Sequence, residues 1–313
     1  MYSSLIRPRI FLSKYVAAIA LLILILFNVF FTSHFASWVS FTNLFTQATK
    51  VALVGLGMTL IIASGGIDIS VGSAMGLGAV IAAIAIHNEN IWGVLISILV
   101  IVALSVLSGY LDSKLMILPL VSTLAIMYIM RGLARGISGR GTVTYSNPDL
   151  TKFFITPIGG VIPMHFFLLL VVGVIMYIVV NKMKFGFELE AYGNNRIAAR
   201  ISGIDTTKTI MICYIIGGIM CWLGGILVMG MVSSTDPARV GLDMEVDAIA
   251  ATVIGGTPIT GGYPNILGTI CGAFLLQLIT MMVNMNNVPY AYSLMVKASI
   301  IVLAIIFHNL FKK

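Results

Sequence analysis

Three short segments hold most of the polar groups that this chain could turn to chemistry. The first is Ser64-Gly65-Gly66-Ile67-Asp68-Ile69-Ser70-Val71-Gly72-Ser73, an aspartate between glycines inside a long apolar stretch. A charge in hydrocarbon marks a conduction path or a buried polar partner. Paired glycines permit unwound backbone at membrane depth where protein or a cavity satisfies it. The plainer reading is a tight turn in which Asp68 caps the next helix. The second segment, Gly255-Gly256-Thr257-Pro258-Ile259-Thr260-Gly261-Gly262, echoes Gly65–Gly72 at an offset of 190 (255 − 65), with Pro258 in place of an aspartate. Both segments read either as interhelical turns or as paired helix breaks lining a path. The third, Phe185–Ile204, is the most polar stretch. In it Asn194 or Asn195 caps a short helix running to Ser202, and Gly203 stops it. Ala198 and Ala199 are small enough for another surface to approach closely.

Other chemistry is absent from the sequence. There is no GxxxxGK[ST] to cradle nucleotide phosphates, no HExxH and no GxSxG. His34, His87, His165 and His308 are scattered near the ends of apolar runs. Cys213, Cys221 and Cys271 lie within such runs, as buried small hydrophobes do. No metal site is expected.

The elements that carry these segments are membrane helices. Of 313 residues 59% are apolar and 9% charged, with a mean hydropathy of +1.06. A soluble domain carries about 25% charged residues. A soluble enzyme, a nucleic-acid reader and a disordered chain are therefore excluded. The net charge of +7 is spread between apolar runs rather than gathered in one patch. Runs of spanning length start near residues 15, 47, 69, 91, 117, 164, 209, 246, 266 and 292, giving about ten expected spans. The eighth, Val246–Thr257, is short for a crossing and of re-entrant length, but with both termini cytoplasmic parity requires it to cross. Arg7, Arg9 and Lys14 place the N-terminus in the cytoplasm. Lys182, Lys184, Arg196, Arg200 and Lys208 do the same for the 182–208 loop, and Lys312 and Lys313 for the C-terminus. The expected fold is all-α, one membrane-spanning domain over 1–313, with broken helices at the glycine segments. The outward loops include Gly132–Pro163 and Val232–Glu245, and the basic residues near Arg131–Lys152 go against the charge rule.

Taken jointly, the three segments resemble the permease subunits of bacterial ABC importers of the ribose/galactofuranose type. The resemblance rests on Gly57-Met58-Thr59-Leu60 with Ser64–Ser73, on Tyr192-Gly193-Asn194-Asn195 with Ala198-Ala199 and Ser202-Gly203-Ile204, and on Glu245–Ala251 with Val253–Thr257, Gly261-Gly262 and Leu267-Gly268. It implies a transport subunit in the bacterial inner membrane that imports a monosaccharide. The partners implied are a cytoplasmic ATPase that binds the ATP, a periplasmic sugar-binding protein and a second permease subunit, with lipid around them and no nucleic acid. Tyr192, Gly193, Asn194, Asn195, Ala198, Ala199, Ser202 and Gly203 would form the ATPase-coupling segment. Gly65, Gly66, Asp68, Ser70, Gly255, Gly256, Thr257 and Thr260 would lie near the path. Arg135, Arg140 and Arg239 would pair with carboxylates of the binding protein, or else rest at lipid headgroups. The competing expectation is a stand-alone ion-coupled transporter with Asp68 as its coupling site, Asp68 being read as the acidic residue that stands between spans.

Overall fold

The computed structural model describes residues 8–90, 92–158, 163–289, 291–299 and 302. About half of the tenth expected run, and both expected cytoplasmic termini, lie outside them. The helices are α1 (Pro8–Phe31), α2 (Trp38–Ala63), α3 (Val71–His87), α4 (Trp92–Ser113), α5 (Pro119–Ile137), α6 (Pro148–Ile155), α7 (Met164–Asn181), α8 (Lys184–Asn194), α9 (Arg196–Ile201), α10 (Thr206–Val232), α11 (Met244–Ile254) and α12 (Ile266–Met285). Residues 291–299 are also helical. An all-α reading gains one exception. β1 (Val143–Thr144) and β2 (Ser234–Thr235) pair antiparallel, Val143 opposite Thr235, and tie together the two loops expected to face outward.

Local chemistry fixes the helix ends. Pro119 and Pro148 start α5 and α6, where a missing N–H costs nothing. Ser37, Asn147, Asp205 and Asn265 each accept a hydrogen bond from a first-turn amide.

Among the described residues six helices, α2, α4, α5, α7, α10 and α12, are long and apolar enough to cross a membrane. The chain is a polytopic helical membrane protein. Helix α3, with 17 residues, is shorter. Helix α11 has 11 residues, a rise of about 17 Å, against the roughly 30 Å of a bilayer core. Helix alone therefore does not carry the eighth segment across.

The core is built on α2, buried continuously from Val51 to Ala63 and packed against α10, α11, α12 and α7. Small residues let backbones approach. A Cβ on Gly57 would stand 2.8 Å from Gly217 Cα of α10, the close crossing that membrane helices use in place of bulky contacts. Large apolar side chains of α4, α5 and α7, such as Leu99, Tyr128 and Ile175, point outward instead. Cys213 and Cys221 are buried and Cys271 half-buried, all as free thiols.

Candidate functional site

The three polar segments meet at one end of the bundle. Helix α2 stops at Ala63 because Gly65 takes φ +81, and the Gly65 and Gly66 amides turn back to Ile62 O and Ile61 O. The freed Ala63 carbonyl accepts from Gly262 N at 2.8 Å, a bond between the two glycine segments. Gly193, near the end of α8, closes over it. A Cβ there would lie 2.0 Å from Ala63 O and 2.4 Å from Gly262 N, so only glycine fits. Gly261 and Gly262 both have positive φ, and a Cβ on Gly262 would meet Asn194 Oδ1 at 2.9 Å. Arg196 completes the junction. Its Nη2 donates to Ser64 O at 3.4 Å, and its guanidinium lies 5.2 Å from the centre of the Tyr192 ring. Burial raises the Tyr192 phenol above its ordinary value, and the Arg196 charge opposes this.

The capped helix of the third segment is present, with a second helix, α8, before it. Asn195 and not Asn194 is the cap. Its Oδ1 accepts from Ile197 N and Ala198 N at 3.0 Å each. Asn194 Nδ2 instead donates to Glu190 O. Gly203, at φ +82, ends α9 after Ser202. The two alanines separate: Ala199 is buried, whereas Ala198 is exposed beside Ile197 and Ile201, 74% and 81% exposed. An approaching surface therefore meets Ala198, Ile197 and Ile201 rather than Ala199.

The resemblance between the glycine segments is real but shifted by one residue. Helix α11 ends at Gly255 with Gly256 at φ +92 and Thr257 N bonded to Thr252 O. This repeats the α2 end with Gly256 in the place of Gly65, an offset of 191 (256 − 65) instead of 190. Gly255 does different work: its carbonyl lies against Gly268 of α12 and accepts from Asn265 Nδ2 at 2.7 Å. Buried Thr257 accepts from Asn265 N. Thr260 is exposed, its carbonyl close to Gly65.

Asp68 is buried and satisfied within its own turn. Its Oδ1 accepts from Ser70 N at 2.7 Å and from Ser70 Oγ at 2.6 Å, two residues on, so it shapes the approach to α3 rather than capping a later amide. Thr123 of α5 holds the same stretch, receiving Ile69 N and facing Ile67 O. At its far end the segment touches the opposite loop. A Cβ on Gly72 would stand 2.0 Å from Gly241 O, and one turn on the Arg131 guanidinium, 3.2 Å from a Cβ on Gly76, donates to Pro237 O and Val240 O. Of the arginines expected at the docking face, Arg135 and Arg140 are exposed, and Arg239 pairs locally with Asp236 at 3.6 Å.

Asp68 is not alone between spans, as sequence reasoning had it. Asp112 of α4 is buried, accepts from Tyr214 Oη at 3.4 Å and faces the Arg196 charge. Asp247 of α11 pairs with buried Lys297 at 2.8 Å. The signal for this pair was a lysine inside the last apolar run, which sequence reasoning assigned only to topology. Among the described residues no cluster of side chains could hold a metal ion.

Residues 40–305 match the family described as branched-chain amino acid transport system / permease component. The galactofuranose transporter permease protein of Escherichia coli (strain K12) is 33% identical over 268 residues, 84% of this chain and 78% of that one. The ribose import permease protein of the same organism is 31% identical over 298 residues, 93% and 92% of the two chains. The fructose import permease protein of Bifidobacterium longum is 31% identical over 274 residues, 84% and 77% of the two. No solved structure matches the chain.

Proposed function

Because the chain belongs to this family of transport permease components, we propose that it is the transmembrane subunit of an ATP-binding-cassette importer that moves a monosaccharide into the cytoplasm. It is a transport subunit and not an enzyme. Separate ATPase subunits bind the ATP, a periplasmic sugar-binding protein delivers the cargo, and a second permease copy or relative completes the path. The chain forms one membrane unit over 1–313 in the bacterial inner membrane, with about ten crossings and both termini cytoplasmic. The sugar class rests on the relatives, whose names give galactofuranose, ribose and fructose.

The observation that carries the coupling role is the convergence of α8–α9 on both helix breaks, with exposed Ile197, Ala198 and Ile201 beyond them. Exposed isoleucines on a short, capped helix outside the spans fit a partner surface. Force applied to α9 reaches Ala63 and Gly262 through Gly193 and Arg196. Ile201→Asp, alone and with Ile197→Asp, is expected to cut reconstituted uptake at least tenfold. The chain's own stability should change by no more than about 0.5 kcal/mol, as for an exposed site. Unchanged uptake and unchanged sugar-stimulated ATP hydrolysis would remove α9 from the interface.

On this reading the path runs beside Gly65, Gly66, Asp68 and Ser70 and beside Gly255, Gly256, Thr257 and Thr260. A sugar's hydroxyls require polar contacts across the apolar core, and these segments supply backbone groups and side-chain oxygens. Ser70 and Thr257 are buried within the single chain, so access to them requires movement. Cysteines at positions 66, 70, 257 and 260 of the assembled transporter are expected to react with a water-soluble maleimide in at least one nucleotide state. Protection in every state would reduce both segments to turns. Arg135 and Arg140, with the tied outward loops, form the docking face for the binding protein.

A further inference from the structure

Backbone without helix extends α11 toward the end expected to face outward. Strand β2 ends at Thr235 and α11 begins at Met244, and 236–243 runs inward between them as a chain of turns. Arg131 meets it first. Its Nη1 donates to Pro237 O at 3.1 Å and to Val240 O at 2.8 Å, six residues (137 − 131), about 9 Å, in from the last residue of α5. Gly241 goes deeper and packs its backbone on Gly72, where a Cβ would stand 2.0 Å from Gly241 O. Gly72 lies 15 residues (87 − 72), about 22 Å along α3, from His87. The His87 ring in turn meets Thr144 O of the outer loop at 3.1 Å. Non-helical backbone at such depth survives only against protein or beside water, and Arg131 with Gly72 forms the protein side.

The other side is open. Leu242 is 63% exposed and Val246 48%, and Asp243 between them is exposed as well. Asp243 holds left-handed backbone, φ 59 and ψ 9, just before α11, and its side chain caps no amide of that helix. Among the described residues its carboxylate accepts no hydrogen bond and forms no ion pair. The neighbouring carboxylates are placed differently. Glu245 turns toward α3, its Oε2 2.8 Å from where a Cβ on Gly72 would stand. Asp247, one turn on, is taken by Lys297 and Gln277, and Asp68 by Ser70. An ionisable side chain at membrane depth faces a water-filled cavity or a partner, because hydrocarbon does not accept it.

We propose that Asp243 lines the sugar path and accepts hydrogen bonds from hydroxyl groups of the cargo as it passes. The inference rests on the importer reading above and adds a contact residue to it. A carboxylate has two acceptor oxygens and no donor, which suits a pair of adjacent hydroxyls and repels an anion. Exposed Leu242 and Val246 beside it offer apolar surface to the C–H faces of the same cargo. Through the Gly72–Gly241 contact the turn continues the Ser64–Ser73 segment outward, so Asp243 stands before the two glycine breaks on the way in. The Arg131 bonds fix the turn at that depth.

The test uses the assembled transporter, permease with ATPase and binding protein, in liposomes, with radiolabelled ribose, fructose, allose and galactose as probes. Asp243→Asn and Asp243→Gly both suit left-handed backbone, so assembly should be retained. Each is expected to lower the sugar carried per ATP at least about tenfold, the scale of one charge-assisted hydrogen bond. ATP hydrolysis stimulated by the binding protein should stay within about twofold of the wild type. Wild-type uptake with equal uptake by both variants overturns the inference and leaves the importer reading standing. A parallel fall in uptake and hydrolysis also overturns it, since a residue that only holds the fold would act so. A wild type that carries none of the four sugars counts against the importer reading itself, and labelling of the wild type then decides Asp243. A water-soluble carbodiimide with a small amine should modify Asp243 in at least one nucleotide state, as it does exposed Glu89, and spare buried Asp112. An Asp243 that labels in the isolated permease and is sealed in every state of the assembly belongs to a subunit contact, which overturns the proposal.

Discussion

Replacing Gly193 with alanine is expected to cut uptake at least tenfold, and with valine to abolish it. The added carbon would stand 2.0 Å from Ala63 O and 2.4 Å from Gly262 N, inside the hydrogen bond that joins the two helix breaks. Overpacking a core usually costs about 1–3 kcal/mol, since side chains can yield. Here the obstructing atoms are backbone, so relief requires α8 or one of the breaks to move as a body. The control is Gly203→Ala. Gly203 has φ +82 but open space around it, so its substitution should cost only about 1 kcal/mol of left-handed strain and leave uptake above half. Transport normalised to folded, assembled protein separates the two. Equal losses at both positions would show that conformational strain, and not crowding at the junction, governs Gly193.

Lys297→Met should be the most destabilising single change among the charged residues. It leaves the Asp247 carboxylate in a buried site with Gln277 as its remaining direct partner. Removing one partner of a buried pair costs about 3–5 kcal/mol, a large part of the roughly 5–15 kcal/mol that holds a typical fold. The expected result is a severalfold drop in monodisperse yield and a clearly lower unfolding temperature. Adding Asp247→Asn to the same chain removes the orphaned charge and should recover most of the loss. A Lys297→Met chain as stable as the wild type would show that Lys50 can take over the carboxylate.

The sequence made some of this legible and hid the rest for physical reasons. Helices α2, α4, α5, α7, α10 and α12 are long apolar runs, and hydropathy alone finds them. The α9 cap and stop were equally local: an asparagine before the helix and a glycine after it. Other features depend on packing between distant residues. Helix α8 was missed because Lys184–Asn194 mixes charges with apolar residues and lies outside the spans. The one-residue shift between the glycine segments arose because identity cannot distinguish Gly65, held at positive φ, from Gly255, which has φ −63 and meets Gly268 instead. Asp247 and Lys297 are 50 residues apart, and only the docking of their helices makes them partners. The convergence of Ala63, Gly193 and Gly262 had no counterpart in any local pattern.

That convergence has a consequence for the order in which the protein is made. The carbonyl of Ala63 enters the membrane with α2, but its partner amide at Gly262 is 199 residues further on (262 − 63). At about 5–20 residues per second, synthesis takes roughly 10–40 s to supply it. Through that interval the end of α2 must meet water or the insertion machinery, because hydrocarbon offers no acceptor or donor. Gly193 arrives earlier and meets only the Ala63 carbonyl until Gly262 follows. The end of α2 therefore waits for the last third of the chain, so a truncated product stopping before Gly262 emerges with this corner of the bundle unsealed.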